Sequence, residues 1–402
     1  MPIYNYVVKD PQGKTVMGTV ESPDQATASS ILRERKYVVI SVTPKKEAGP
    51  LEKFLEHFRG VSLGEKTVFA RQLATMISSG LPLTNALEIL RVGAESEKME
   101  AVLGEMIGDV QGGMALSKAL VKHPEVFSKI TVALVEAGEA SGKLDSLLMQ
   151  LAENMEKEQD FQSKTRGALI YPAVIAVAMV GVFIIMMVFV VPRLTDLYVD
   201  IGAELPLPTR VLIAISDLLT KGWWALLIFF GAFGYGGFRY AQTEKGRYKI
   251  AQIAFQFPIF GKLTKESEQA RFARTLGLLI GAGVPITQAL EISASAVNNV
   301  LYKDAILEAE KQVEKGIPLS VPIRKDPNFD PLLSQMIAVG EETGKMDEVL
   351  IKVAEFFESQ AAGMVKNLST ALEPIILIAL GLMVGLLVLA IISPIYNLTT
   401  QF

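Results

Sequence analysis

The sequence predicts an all-α polytopic membrane protein: two repeated cytoplasmic helical-bundle domains and three transmembrane helices, with a small N-terminal α/β module. Three observations predict it. Half of the 402 residues are apolar and only 20% are charged, too oily a balance for an ordinary soluble protein of this length. Long apolar segments punctuate the chain from residue 167 onward. A block that begins at Phe69 is written again from Phe272, 203 residues later.

The same composition excludes several chemistries. A net charge of −4 gives no footprint for nucleic acid. There is no cysteine, and only His57 and His123 supply imidazoles. Disulfides and thiolate metal sites are therefore excluded, and hydrolase triads and transition-metal sites are poorly supplied. No catalytic, cofactor-binding or metal residue is expected. The opening "MPIYNYVVKDPQGK" carries no basic-apolar-small pattern of a cleavable signal peptide.

Residues 1–47 read as a β-β-α-β module. "YNYVV" and "VMGTVES" are strands around the turn "DPQGK", "PDQATASSILRERK" is a short helix and "YVVISV" is a third strand. "TPKKEAGPLEK" reads as a linker into the first helical-bundle repeat, residues 48–166.

Three segments are candidates for crossing a bilayer, which takes about 20 apolar residues as a helix. Residues 167–192 contain no charge, residues 222–238 are short, and residues 373–396 lead into an uncharged tail, 397–402. The loop 193–221 between the first two spans contains "VLIAISDLLT", which either lengthens the second span or lies along the membrane interface. Lys164 and Arg166 precede the first span, Lys366 precedes the third, and Arg239, Lys245, Arg247, Lys249, Lys262 and Lys265 follow the second. In the loop, Arg193, Arg210 and Lys221 are outnumbered by Asp196, Asp200, Glu204 and Asp217. The positive-inside rule then puts the N-terminal part and the second repeat, residues 239–372, in the cytoplasm. The loop and the C-terminal tail fall in the periplasm.

The opening block of the repeat aligns without a gap. "FARQLATMISSGLPLTNALEIL" from Phe69 matches "FARTLGLLIGAGVPITQALEIS" from Phe272 at twelve of 22 positions, and "GGMALS" from Gly112 matches "KGIPLS" from Lys315. Phe69, Leu73, Met76 and Ile77 share one helix face, as do Phe272, Leu276, Leu279 and Ile280. Gly80 and Gly283 supply a left-handed stop, Pro82 and Pro285 prevent continuation, and Thr84 and Thr287 are placed to cap the next helix. Glu88 and Glu291 fall in its first turn or so, where acid suits the dipole.

A second signature, "GEASGKLD" from Gly138, returns as "GEETGKMD" from Gly340. It resembles a phosphate-binding loop but has a spacer one residue short and Leu144 where the hydroxyl belongs. The bland reading is a helix–turn–helix corner: the apolar run breaks near Gly138, Gly142 takes an unusual backbone angle, and Asp145 caps the next helix. Gly340, Gly344 and Asp347 do the same in the second copy. A sharper reading makes Glu139, Lys143 and Glu341, with Lys345, a docking surface. A third has Glu139 and Asp145 holding a divalent cation through oxygen ligands. Pro172 and Pro374 stand 202 residues apart, each early in a span; they either kink the span entrance or sit in a tolerant first turn, the second being favoured. Gly381 and Gly385 form a small-residue pair that permits close helix approach.

With these residues in hand, the chain resembles the inner-membrane platform protein family of bacterial type II secretion systems and type IV pili. The resemblance rests on the doubled "FxRxL…G.P…ALE" and "GExxGxxD" signatures, the early span prolines, the order of three spans, and Gly13 and Gly18 in the opening module. It implies no catalytic activity. It implies contact with a hexameric assembly ATPase on the cytoplasmic side, with pilin or pseudopilin subunits in the membrane and with other inner-membrane components of the machine; an isolated three-span platform also suggests self-association. A rival class is a transporter or channel built from parallel repeats, but the spans carry no ionisable group at mid-membrane.

Overall fold

A computed structural model describes residues 3–9, 15–34, 37–44, 60–193, 207–257 and 260–399. The expected turn Asp10–Lys14, nearly all of the linker, His57 and the loop acids Asp196, Asp200 and Glu204 lie outside these residues. The chain divides into two compact units, Met1–Met155 and Glu156–Phe402.

In the first unit, strands β1 (Ile3–Lys9), β2 (Thr15–Glu21) and β3 (Val38–Pro44) form one sheet in the order β2-β1-β3. Both neighbours run antiparallel to β1, and the pairing with β3 shifts register between Val7 and Val8. Helix α1 (Gln25–Glu34) joins β2 to β3 and buries Ala28 and Leu32. Asp24 accepts the Thr27 N–H at 2.7 Å, satisfying one of the donors a helix start leaves over.

The helices of the first repeat are α2 (Leu63–Ser78), α3 (Leu83–Val92), α4 (Glu97–Gln111), α5 (Leu116–Val121) and α6 (Lys129–Ser141). Those of the second are α11 (Phe260–Gly281), α12 (Ile286–Ala296), α13 (Val300–Glu314), α14 (Ser320–Lys325) and α15 (Pro331–Thr343). The two cores repeat in detail. Phe69 and Phe127 lie 5.6 Å apart at 49°, and their counterparts Phe272 and Phe329 lie 5.7 Å apart at 49°. Gly80 and Gly283 end α2 and α11 with φ of +82° and +84°. The caps that follow differ from expectation. Helices α3 and α12 start at Leu83 and Ile286, the N-cap positions are Pro82 and Pro285, and neither makes a side-chain cap bond. Thr84 and Thr287 are already inside the helix, because each proline, with φ of −57° and −55°, leads the chain into the helix two residues sooner.

Each repeat feeds a long helix. Helix α7 (Leu144–Ile185) passes through a π-helical turn, Met186–Val190, and continues to Arg193, 50 residues in all. Helix α16 (Met346–Thr399) runs for 54 residues. Neither helix breaks where the charged flank gives way to the apolar span. Pro172 and Pro374 therefore lie deep inside continuous helices and not in a first turn. The expectation fails because the start of the apolar stretch is not the start of the helix.

Between the long helices lie α8 (Leu207–Thr220), α9 (Trp223–Gln242) and α10 (Glu244–Gln256). Among the described residues two helices are long and apolar enough to cross a membrane, and α8 with α9 qualifies only as a pair bent by 76°. Helix α8 packs against the long helices. Met187 and Val191 are buried among Phe183, Leu212, Ile213, Ile215, Leu219 and Met383. Ser216 Oγ donates to the Met187 carbonyl at 2.6 Å. That carbonyl lies in the π turn, where the ordinary helical pairing is lost, and a hydroxyl from a neighbouring helix is the usual means of satisfying it away from water.

Candidate functional site: the repeated carboxylate corners

The doubled signature is a helix corner whose parts can be assigned one by one. Helix α6 does not break near Gly138 but runs to Ser141; Gly142 takes the left-handed conformation at φ +68°, and Gly344 does so at +69° after α15. The Lys143 N–H donates to the Gly138 carbonyl at 3.0 Å and the Lys345 N–H to that of Gly340 at 3.2 Å, the long closing bond of a Schellman turn. These N–H groups close a helix end and are not turned towards a phosphate. Asp145 and Asp347 lie in the first turns of α7 and α16 rather than at the cap, where their charge favours the helix N-terminus.

Gly138 and Gly340 are needed for close approach. A Cβ on Gly138 would stand 3.0 Å from the Leu144 Cα, and one on Gly340 would stand 2.9 Å from the Met346 Cα. The clash is with backbone, so the following helix must shift. Gly340→Ala is expected to destabilise the second repeat by about 1–3 kcal/mol through overpacking. Thermal unfolding of the purified chain measures it; an unchanged midpoint would mean that α16 does not need its present seat.

The glutamates face inward. Glu139 accepts the Leu116 N–H at 2.6 Å, the Ser117 N–H at 3.2 Å and the Ser117 hydroxyl at 2.6 Å. Glu341 accepts the Leu319 N–H at 2.5 Å and the Ser320 hydroxyl at 2.5 Å, with the Ser320 N–H at 3.4 Å. Helix α5 has Ala115 and α14 has Leu319 at the N-cap, neither with a side-chain oxygen. The corner glutamate of each repeat thus caps another helix of that repeat, and "GE" and "LS" are two halves of one contact. Lys143 and Lys345 are exposed, and Lys345 pairs with Glu348 at 3.3 Å. Among the described residues no group of three or more His, Cys, Asp or Glu side chains could hold a metal ion.

A second pair of carboxylates does the same work without having been singled out in the sequence. Glu65 Oε1 accepts the Glu95 and Ser96 N–H groups at 3.1 and 2.9 Å and the Ser96 hydroxyl at 3.0 Å. Its counterpart Glu268 accepts the Asn298 N–H at 2.9 Å. The available signal is positional: each copy carries a glutamate four residues before its matched phenylalanine.

Electrostatics separate the copies. Burial pushes the Glu268 carboxyl up from its ordinary range, against the pull of the Asn298 N–H and of Arg271. Burial and then Asp330 push Glu266 up, and its Oε2 has no hydrogen-bond partner among the described residues. Both groups therefore hold their protons more tightly folded than unfolded. Their contribution to stability is greatest below the ordinary carboxylate range and falls as pH rises through the raised folded values. Glu266→Gln is expected to raise the unfolding temperature at neutral pH and to leave it unchanged in mild acid. Equal shifts at both pH values would contradict this.

The second unit also fastens its helices with ion pairs. Arg274, itself buried, holds Glu358 of α16 by two bonds, one from Nε and one from Nη2 at 2.6 Å. Arg271 reaches Glu158 on α7 at 3.0 Å, and Lys157 on α7 reaches Glu355 on α16 at 3.4 Å. Gly381 and Gly385 meet nothing: a Cβ on either would have no described neighbour within 4 Å.

Comparison with known proteins follows this repeat closely. Residues 69–192 and 272–394 each match the family described as Type II secretion system (T2SS), protein F, and residues 1–43 match its N-terminal domain. The chain is 39% identical over 400 residues to the type IV pilus assembly protein PilC of Thermus thermophilus, covering 99% of this chain and 98% of that protein. It is 32% identical over 402 residues to the type II secretion system protein F of Pseudomonas aeruginosa, covering 99% of both. It is 31% identical over 396 residues to the PilC protein of Myxococcus xanthus, covering 97% of this chain and 93% of that protein. Two copies of the family's domain behind its N-terminal domain, in a chain that these relatives match nearly from end to end, place the protein in the type II secretion system protein F family.

Proposed function

We propose that the chain is an inner-membrane platform protein of a type IV pilus or type II secretion machine. It couples a cytoplasmic hexameric assembly ATPase to the insertion or extraction of pilin or pseudopilin subunits at the filament base. The observation that carries this reading is that the corner of each repeat starts a helix that runs unbroken into an apolar span. A displacement of the second repeat then reaches its span through one continuous helix. No bond is made or broken in this role.

The topology that suits it puts the N-terminal part and residues 239–372 in the cytoplasm, with residues 193–221 and the C-terminus in the periplasm. At the corners, Lys143, Asp145 and Lys345 are exposed and supply the face for docking. Gly381 and Gly385 offer the close-packing face for a membrane partner, another component of the machine or a second copy of the chain.

Deleting the gene from a piliated or secreting strain is expected to abolish filaments or secretion; normal filaments and secretion would end the reading. The chain has no cysteine, so single thiols report cleanly. Lys303→Cys is expected to be protected from an impermeant reagent in intact cells, and labelling there would overturn the topology.

A further inference from the structure

Helix α10 follows span α9 with only Thr243 between them. Thr243 is extended (φ −76°, ψ 148°), and its hydroxyl accepts the Gly246 N–H at 3.0 Å. A Cβ on Gly246 would fall 1.8 Å from the Tyr240 carbonyl oxygen, so α10 begins pressed against the last turn of α9. The chain turns at this point and does not continue along the span.

The three sides of α10 differ in chemistry. One side packs on the second repeat: Ala251 is buried, and the Phe255 ring lies 6.0 Å from that of Tyr302, with Lys265 Nζ 5.3 Å from the Phe255 centroid. A second side carries Ile250 and Ile253, spaced i, i+3, and the chain leaves the helix through Phe257 at its C-cap; the three are 45%, 53% and 56% exposed. Lys245 and Lys249 line one border of that stripe and Arg247 the other, while Glu244 is the only acid in the helix. An apolar stripe bordered by bases, beginning at the end of a membrane span, is the pattern of a helix lying in the membrane interface.

We propose that α10 lies in the bilayer surface, with Ile250, Ile253 and Phe257 among the acyl chains and Lys245, Arg247 and Lys249 on anionic lipid headgroups. Because Phe255 packs on Tyr302, the second repeat is held against the membrane by this helix. A bilayer is favoured as the occupant over a protein because α10 directly follows α9, whose described residues are all unburied in the chain, and because bases border the stripe on both sides. The inference needs α9 to span but does not depend on the pilus or secretion reading.

The test uses the full-length chain in nanodiscs of phosphatidylcholine with or without phosphatidylglycerol. Single spin labels are placed by Ile253→Cys, by Gln252→Cys on the polar side of α10, and by Ala232→Cys in α9. In anionic discs the labels at 253 and 232 are expected to collide with oxygen and to be shielded from a water-soluble relaxant, while the label at 252 meets the relaxant. Removing phosphatidylglycerol, or combining Lys245→Gln, Arg247→Gln and Lys249→Gln, is expected to shift 253 towards water. Loss of each base should weaken surface partition by about fivefold. Equal relaxant access at 253 and 252 in anionic discs would overturn the proposal, as would a water-exposed label at 232, which removes the span that α10 hangs from. A label at 253 that is shielded to the same degree in both discs and in the triple variant would overturn the headgroup role. None of these outcomes alters the case for the pilus or secretion role, which gene deletion decides.

Discussion

Arg274→Ala is expected to destabilise the second repeat by about 3 kcal/mol, near the lower end of the range for breaking a buried ion pair because Glu358 is partly solvated. Arg274 is 7% exposed and fastens α11 to α16 through both carboxylate oxygens of Glu358. Its removal leaves a carboxylate in the helix interface with no counter-charge opposite it. Arg274→Lys is expected to recover little, since an ammonium cannot reproduce the two-pronged geometry. Glu358→Gln is expected to be milder than Arg274→Ala, as an amide keeps one acceptor. Thermal or denaturant unfolding of the purified chain measures all three. A wild-type midpoint for Arg274→Ala would show that apolar packing alone holds α11 to α16.

Glu139→Ala and Glu341→Ala carry a comparable expected effect, about 2–4 kcal/mol each, because charge-assisted bonds to a helix N-terminus are lost and the donors are left buried. Leu116 and Ser117 are buried, as is Ser320, so water is poorly placed to replace the carboxylate. The loss has an address: in Glu139→Ala the amides of Leu116 and Ser117 are expected to exchange with solvent much faster, while those of α4 hold. Glutamine at the same position should lose about half as much. If exchange at Leu116 is unchanged in Glu139→Ala, the contact does not stabilise α5, and the exposed-docking view of Glu139 regains its footing.

The repeat and its glycines were legible in the sequence because they follow from local rules. Gly80 and Gly283 stop their helices with positive φ, as a glycine before a proline suggests. The turn at Gly142 was legible too, but Gly138 lies within the helix, and a glycine needed for close approach looks the same in sequence as one needed for its backbone angle. The hydroxyl preference of an N-cap points to Thr84, but the fixed φ of Pro82 starts the helix before it. The partners of Glu139 and Glu65 were not legible: each bonds to donors 22 to 31 residues away, and no helical or strand period connects such positions. Lys164 and Arg166 looked like the end of a domain, yet they sit within α7, since charge marks where lipid begins and not where a helix ends. The π turn at Met186–Val190 left no signal, because its satisfying hydroxyl, Ser216, lies in another helix.

Helix α16 is continuous from Met346 to Thr399, although Pro374 has no N–H to give to its hydrogen-bond ladder, so its two ends share a rotational phase. At about 1.5 Å of rise and 100° of turn per residue, one alanine inserted near Ser369 would swing every lipid-facing side chain beyond it a quarter turn or more while lengthening the rod by less than the width of an atom. Seven inserted residues would restore the phase to within about 20° and displace the far end by about 10 Å. Azimuth and height are thus separable in this helix by the size of an insertion alone.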